Sequence, residues 1–276
     1  MHNLMYSEAS LAGYVAFIAC VVLATVVQNL TGFALGLILL GLVALFELVP
    51  VAEAANAATV LTLVNALVYF RSHKAEAPWA LMRPALVSSF FGVGLGVASL
   101  AWLSANATEW LRLLLGLSVV ASASVLVMHR RRMAQPSPPR AFACAGFFAG
   151  VLGGMFATSG PPMVFHMYRQ PFEMETIRRC LMLVFASNAA TRLVLVGASG
   201  GFTLRSAWLS VLAVPVVFAV TRWMAGRTPA LSRRALGWVA AGFLVLTGVS
   251  LSASAVDHLL PRWDLLALAR ALVALA

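Results

Sequence analysis

Two apolar stretches of this 276-residue chain are interrupted by glycine, hydroxyl-bearing residues and proline. The first reads Val27-Gln28-Asn29-Leu30-Thr31-Gly32-Phe33-Ala34-Leu35-Gly36. The second reads Gly153-Gly154-Met155-Phe156-Ala157-Thr158-Ser159-Gly160-Pro161-Pro162. A helix broken inside a bilayer leaves N–H and C=O groups that lipid cannot satisfy, so such breaks persist only against protein or a wet cavity. Breaks at corresponding places in two halves point to a transporter's binding site. The chemistry on offer is anion binding. A helix N-terminus presents unpaired N–H groups and about half a positive charge. Helices expected to start near Phe33 and Pro161 aim such ends at the breaks, and Pro161 and Pro162 suit a first helical turn. Thr31, Thr158 and Ser159 can cap those ends or donate hydroxyls to an oxyanion, and Asn29 opens the first break. Gly32 and Gly160 allow close backbone approach.

Four more side chains stand inside apolar spans. Asn65 and Asn188 occupy related positions, and each either faces the site or holds broken backbone, since an unsatisfied buried amide costs roughly 1–3 kcal/mol. Arg192 lies one helical turn after Asn188, on the same face. It either supplies a fixed positive charge or snorkels from the end of its span to the interface. His166, in the short helix after the second break, is a candidate proton relay or a hydrogen-bonded core histidine. Glu53 is the carboxylate most nearly inside the membrane. Without a mid-span chain of acids, a carboxylate relay is not expected. The remaining Gly-rich faces, Gly92 to Gly96 and Gly150 to Gly154, suit close helix packing.

The elements that would position these groups follow from composition. Hydrophobic residues make up 62% of the chain and charged residues only 10%, against about 25% charged in soluble domains. The protein is therefore read as an all-α polytopic membrane protein. Apolar segments fall at 9–29, 33–49, 51–70, 80–101, 109–128, 141–157, 161–170, 174–198, 203–224 and 234–256. The formal charge is +10, with basic clusters at Arg71 and Lys74, in the central loop His129 to Arg140, at Arg169, Arg178 and Arg179, and from Arg222 to Arg234. Simple crossings cannot place all four clusters on one side. Re-entrant hairpins at the two breaks can, and positive-inside topology then makes that side cytoplasmic. The expected plan is two inverted repeats, each a broken, re-entrant helical hairpin plus three transmembrane helices. The repeats are 1–128 and 141–256, joined by a basic cytoplasmic linker at 129–140 and followed by a tail at 257–276. Segments 141–157 and 161–170 look too short to span singly. The stretch Ala52 to Leu67 matches Glu175 to Ala190, a duplication signal.

Three cysteines lie in apolar runs without ligand spacing, and no histidine pair has it either, so neither a metal nor a cofactor is expected. No nucleotide loop is present, and Gly92 to Gly96 lacks its lysine and strand. The basic charge reads as topology, with no nucleic-acid partner expected. No constellation for catalysis appears, and the expectation is that the protein is not an enzyme.

The breaks resemble those of a known family. Asn29 to Gly36 is similar to the Gly-rich signature near the start of the TauE/SafE sulfite exporters, with Ala34 and Leu35 where glycines are common. Gly153 to Pro162 resembles that family's second copy, a glycine-rich turn followed by Gly-Pro, and Arg178-Arg179 ahead of an apolar span is also similar. The resemblance implies export of sulfite, thiosulfate, sulfonates or related organic anions across the bacterial inner membrane. It makes a small sulfur anion and membrane lipid the expected partners, and a homo-oligomer is left open. The competing readings are a membrane-embedded enzyme, a scaffold or accessory protein without transport, and a transporter of another small organic anion.

Overall fold

The computed structural model describes residues 11–31, 33, 35–73, 78–127 and 133–225, together with residues 242, 245, 248, 249, 252 and 253. Among the described residues the chain is all-helical: α1 (Leu11–Thr31), α2 (Leu35–Leu45), α3 (Val51–His73), α4 (Trp79–Asn106), α5 (Thr108–Val127), α6 (Pro139–Phe156), α7 (Gly160–Tyr168), α8 (Met174–Ala198) and α9 (Leu204–Ala225). The expected span 234–256 is described only at those six positions, and the tail 257–276 lies outside the described residues. Six helices, α1, α3, α4, α6, α8 and α9, are long and apolar enough to cross a bilayer. Exposed tryptophans mark helix ends: Trp79 and Trp102 on α4, Trp208 and Trp223 on α9. Amphipathic rings at that level form the interfacial belts of a multi-pass membrane protein.

Both breaks fall where the sequence puts them. α1 ends at Thr31 and α2 starts at Leu35; α6 ends at Phe156 and α7 starts at Gly160. The second break has a local cause. Ala157 takes the left-handed conformation, φ 52 and ψ 28, which costs a non-glycine residue roughly 1–2 kcal/mol. Gly160-Pro161-Pro162 then begins α7, the prolines contributing a fixed φ. Two expectations need correction. The helix after the linker starts at Pro139, so Pro139 and Arg140 belong to α6 and the linker ends at Pro138. With 18 residues and about 1.5 Å per residue, α6 is long enough to cross, contrary to the reading of 141–157 as too short.

The chain after α7 comes back to the linker that precedes α6. Met133 N–H donates to Arg169 O at 2.8 Å. Ser137 N–H donates to Gln170 Oε1 and Gln170 Nε2 to Ser137 Oγ, both at 2.9 Å. Pairings across helices give directions. Asn56 meets Ser206 and Asn65 meets Thr221, so α3 and α9 run parallel. Tyr69 meets Glu175 and Thr59 meets Arg192, so α3 and α8 are antiparallel.

α4 and α6 form the tightest seam, as the Gly-rich faces suggested. A Cβ on Gly92 would collide with Phe147 O, on Gly96 with Val151 O, on Gly150 with Ser89 O and on Gly154 with Val93 O. Backbones this close gain dispersion contacts and weak Cα–H···O bonds, which replace the hydrophobic drive that lipid does not supply. Ser88 Oγ adds a bond to Ala143 O at 2.7 Å. The seam fixes α6, and with it the position of the second break.

Candidate anion site

The two breaks meet. A Cβ on Gly36 would lie 2.6 Å from Ala157 O and 3.2 Å from Thr158 Cβ, and one on Gly160 would lie 3.5 Å from Phe33. Phe33 is fully buried and stands edge-on to Tyr168, centroids 6.4 Å apart. Between the breaks is a small cavity. Gln28, Leu35 and Gly36 wall it from the first half, Gly153, Ala157, Thr158 and Ser159 from the second break. Thr62 closes it from α3, and Phe185, Asn188 and Ala189 from α8. The free space is about that of one water molecule, so a multi-oxygen anion enters only if the walls separate.

The polar groups of the lining are neutral side chains that can donate hydrogen bonds, and none of its described residues is charged. Asn188 Nδ2 donates to Ser159 Oγ at 2.7 Å, tying α8 to the break. Elsewhere in the bundle, helical hydroxyls are consumed by carbonyls four residues back: Thr25 by Val21 O, Thr59 by Ala55 O, Ser118 by Leu114 O, Ser210 by Ser206 O. Thr62 and Thr158, each 6% exposed, have no hydrogen-bond partner for their hydroxyls among the described residues. Buried hydroxyls are normally satisfied, and these two stand at the same cavity, one on α3 and one at the second break.

Arg192 does not snorkel. It is 1% exposed, and its guanidinium is built into the protein. Nε donates to Gly154 O at 2.8 Å; Nη1 donates to Thr59 Oγ1 at 2.7 Å, Asn56 Oδ1 at 3.0 Å and Ala55 O at 3.3 Å. Nη2 has no partner. Gly154 O lies in the last turn of α6, beyond the helix's own N–H ladder, so the cation sits on that helix's negative end. Its acceptors are all neutral, and its positive charge lies one turn from Asn188.

The remaining predicted residues scatter. Asn29 and Asn65 do not line the cavity. Asn29 Nδ2 donates to Thr25 O and to Thr221 Oγ1, both at 3.0 Å, and Thr221 Oγ1 donates to Asn65 Oδ1 at 2.6 Å. That chain knits α1, α9 and α3. Gly160 and Pro161 are buried at the start of α7, beside the lining. Gly32, and the side chain of Thr31, lie outside the described residues. His166 is in the last turn of α7, its ring edge-on to Phe142 at 4.5 Å and 3.4 Å from Gln170 Nε2; the structure does not bring it to the cavity. Glu53 opens α3 in an ion pair with Arg205 at 3.3 Å. Among the described residues no cluster of three potential metal ligands occurs.

Sequence reasoning missed Gln28 and Thr62. Thr62 is three residues from both Thr59 and Asn65, so a polar i,i+3 stripe along α3 was there to be read. Gln28 was the one polar residue beside Asn29 in an otherwise apolar run. Its Oε1 accepts from Leu35 N–H at 2.9 Å, so the N-terminus of α2 is capped from across the break rather than open.

The pattern of the sulfite exporter TauE/SafE family matches residues 17–251. This chain belongs to the TauE/SafE family. A protein of Cupriavidus necator described as a probable sulfite/organosulfonate exporter TauE is 33% identical over 237 residues, which cover 84% of this chain and 91% of that relative. No solved structure matches. The family match takes in both breaks and every residue of the cavity lining.

Proposed function

We propose that this chain is a secondary transporter that exports a small sulfur-containing anion, such as sulfite, thiosulfate or an organosulfonate, across the bacterial inner membrane. The substrate binds in the cavity between the two breaks. The observation that carries this reading is the pair of hydroxyls, Thr62 on α3 and Thr158 at the second break, that have no partner among the described residues and line the buried cavity where the two breaks meet. Neutral donors suit an anion that must also leave, and Arg192 adds positive potential without closing an ion pair on the substrate. Thr158, Ser159 and Asn188 make direct contact, and Leu35 and Gly36 stand on the facing wall. Asn29 and Asn65 hold that wall in place. Export of an anion from a negative-inside cell is already favoured by roughly 2.3 kcal/mol per charge per 100 mV, so no nucleotide is required.

The architecture behind it is two inverted repeats, 1–128 and, with its start moved to Pro139, 139–256, each a re-entrant hairpin plus three spans. Packing supports this. α3 packs on α9 as its counterpart α8 packs on α4, and α1 packs on α9 as α6 packs on α4. The return of Arg169 and Gln170 to the linker supports a hairpin at α6 and α7.

The test is flux in proteoliposomes loaded with sulfite, thiosulfate or sulfoacetate, with and without an imposed proton gradient. Wild type is compared with the Thr158→Ala, Ser159→Ala double variant. Substrate-specific flux that collapses in the double variant is the expected result. Equal flux from both proteins removes the site, and no flux of any sulfur anion from folded wild type removes the function.

A further inference from the structure

Gln28 is 1% exposed and reaches the cavity from the last turns of α1. The Leu35 N–H can be met only by the carboxamide oxygen, at 2.9 Å, which fixes the orientation of the amide. Its nitrogen end then carries two N–H donors. Among the described residues the one acceptor they have is the thioether of Met182, at 3.8 Å, and sulfur of this kind is a weak one. A buried primary amide with its oxygen satisfied and its donors nearly unused is out of balance. It shares the cavity with Thr62 and Thr158, whose hydroxyls have no partner among the described residues.

We infer that Gln28 is a direct substrate ligand, its Nε2 amide donating to an oxygen of the sulfur oxyanion while its Oε1 keeps α2 anchored. This deepens the transport reading and rests on it. The assignment gives the first break a contact in a site otherwise supplied by α3, α8 and the second break. A single anion then touches both halves, and binding draws the walls together. It also sets a selectivity. A neutral amide accepts a guest with several acceptor oxygens and offers nothing to a cation, whose positive charge would meet N–H donors and the nearby Arg192.

The substitution Gln28→Glu separates the two duties of this side chain. A carboxylate of the same shape still accepts from Leu35 N–H, so the cap survives, but it places an acceptor and a negative charge where the donors were. Sulfite and sulfoacetate are the probes, in proteoliposome flux and in ligand-induced thermal stabilisation of purified protein. Hydrogen bonds to charged groups are strong enough that their loss weakens binding at least about tenfold. The expected result is a Gln28→Glu protein that still folds, with KM raised at least about tenfold and stabilisation by sulfite lost. Wild-type KM in Gln28→Glu overturns the assignment and leaves Gln28 as a cap. If Gln28→Glu does not fold, Gln28→Met decides through the KM of its folded fraction: a raised KM supports the ligand role and an unchanged one overturns it. Failure of the transport reading looks different, because wild type then moves neither probe and gains no stability from either.

Discussion

Replacing Arg192 separates two duties that one buried cation performs, and the structure gives a magnitude for each. Removing the guanidinium leaves Asn56 Oδ1 and Gly154 O without a donor, whereas Ala55 O keeps its bond from Thr59 Oγ1. Each orphaned acceptor costs about 1–3 kcal/mol, so Arg192→Met should lose about 2–6 kcal/mol of stability, read from melting in detergent. Charge is the second duty. Arg192 and Asn188 are one turn apart, about 6 Å, and a unit charge at that distance in a medium of effective dielectric about 20 is worth about 3 kcal/mol to a bound anion, or about 100-fold in affinity. Arg192→Lys and Arg192→Gln both break the fork of hydrogen bonds and lose similar packing, but only Lys keeps the charge. Sulfite flux, normalised to folded protein, should give a KM within a few fold of wild type for Lys and raised by one to two orders of magnitude for Gln. A wild-type KM in Arg192→Gln would refute the electrostatic argument and leave Arg192 as a cap on α6.

Two further outcomes follow. Gly92→Ala drives a methyl into Phe147 O on the tightest helix seam and should cost about 1–3 kcal/mol, whereas Gly94→Ala meets nothing within 4 Å and should melt like wild type or slightly higher; equal melting of the two variants would contradict the packing. Glu53→Gln breaks a partly exposed ion pair with Arg205, worth about 1 kcal/mol or less, and should leave proton-gradient-dependent flux intact; loss of that dependence would restore a carboxylate relay.

The helices and both breaks were legible because lipid imposes a long apolar run on every span and leaves polar interruptions nowhere to hide. Glycine-rich faces on α4 and α6 were legible for the same reason, since small residues at helical spacing have one main use in a bilayer. Side-chain partners were not. Asn65 and Asn188 looked equivalent in sequence, yet Asn188 lines the cavity and Asn65 is turned to Thr221; the rotation of a helix with polar residues around it is set by its neighbours. Arg192 stood close enough to a helix end for snorkelling to be reasonable. What decided against it was the uncapped carbonyl of Gly154 and the Asn56 amide, groups 38 and 136 residues away that no local pattern connects to it. Gln28 was hidden by its neighbours, being polar in a stretch where the break itself drew the eye.

The cavity also bears on access. α3 and α8 cross it antiparallel, and each sends one side chain to the other from one turn beyond its asparagine. Tyr69 Oη donates to Glu175 Oε1 at 2.8 Å, with Glu175 also paired to Arg179 at 3.5 Å. Arg192 donates to Asn56 and Thr59. The two contact sets therefore flank Thr62 and Asn188 on opposite sides. Under the transport reading proposed above, the water-sized space widens before a sulfur oxyanion enters, and opening toward one membrane face parts one set while the other holds. They are unequal. The Glu175–Arg179 pair lies within α8 and does not join the helices, so the Tyr69–Glu175 bond is the one that parts there, worth about 1 kcal/mol. The Arg192 fork is fully buried, and parting it strands a cation and two acceptors. Under the proposed transport reading, the face on the Tyr69 side, the one carrying Arg71 and Arg178, parts at lower cost, and an exporter needs that face open to load from the cytoplasm.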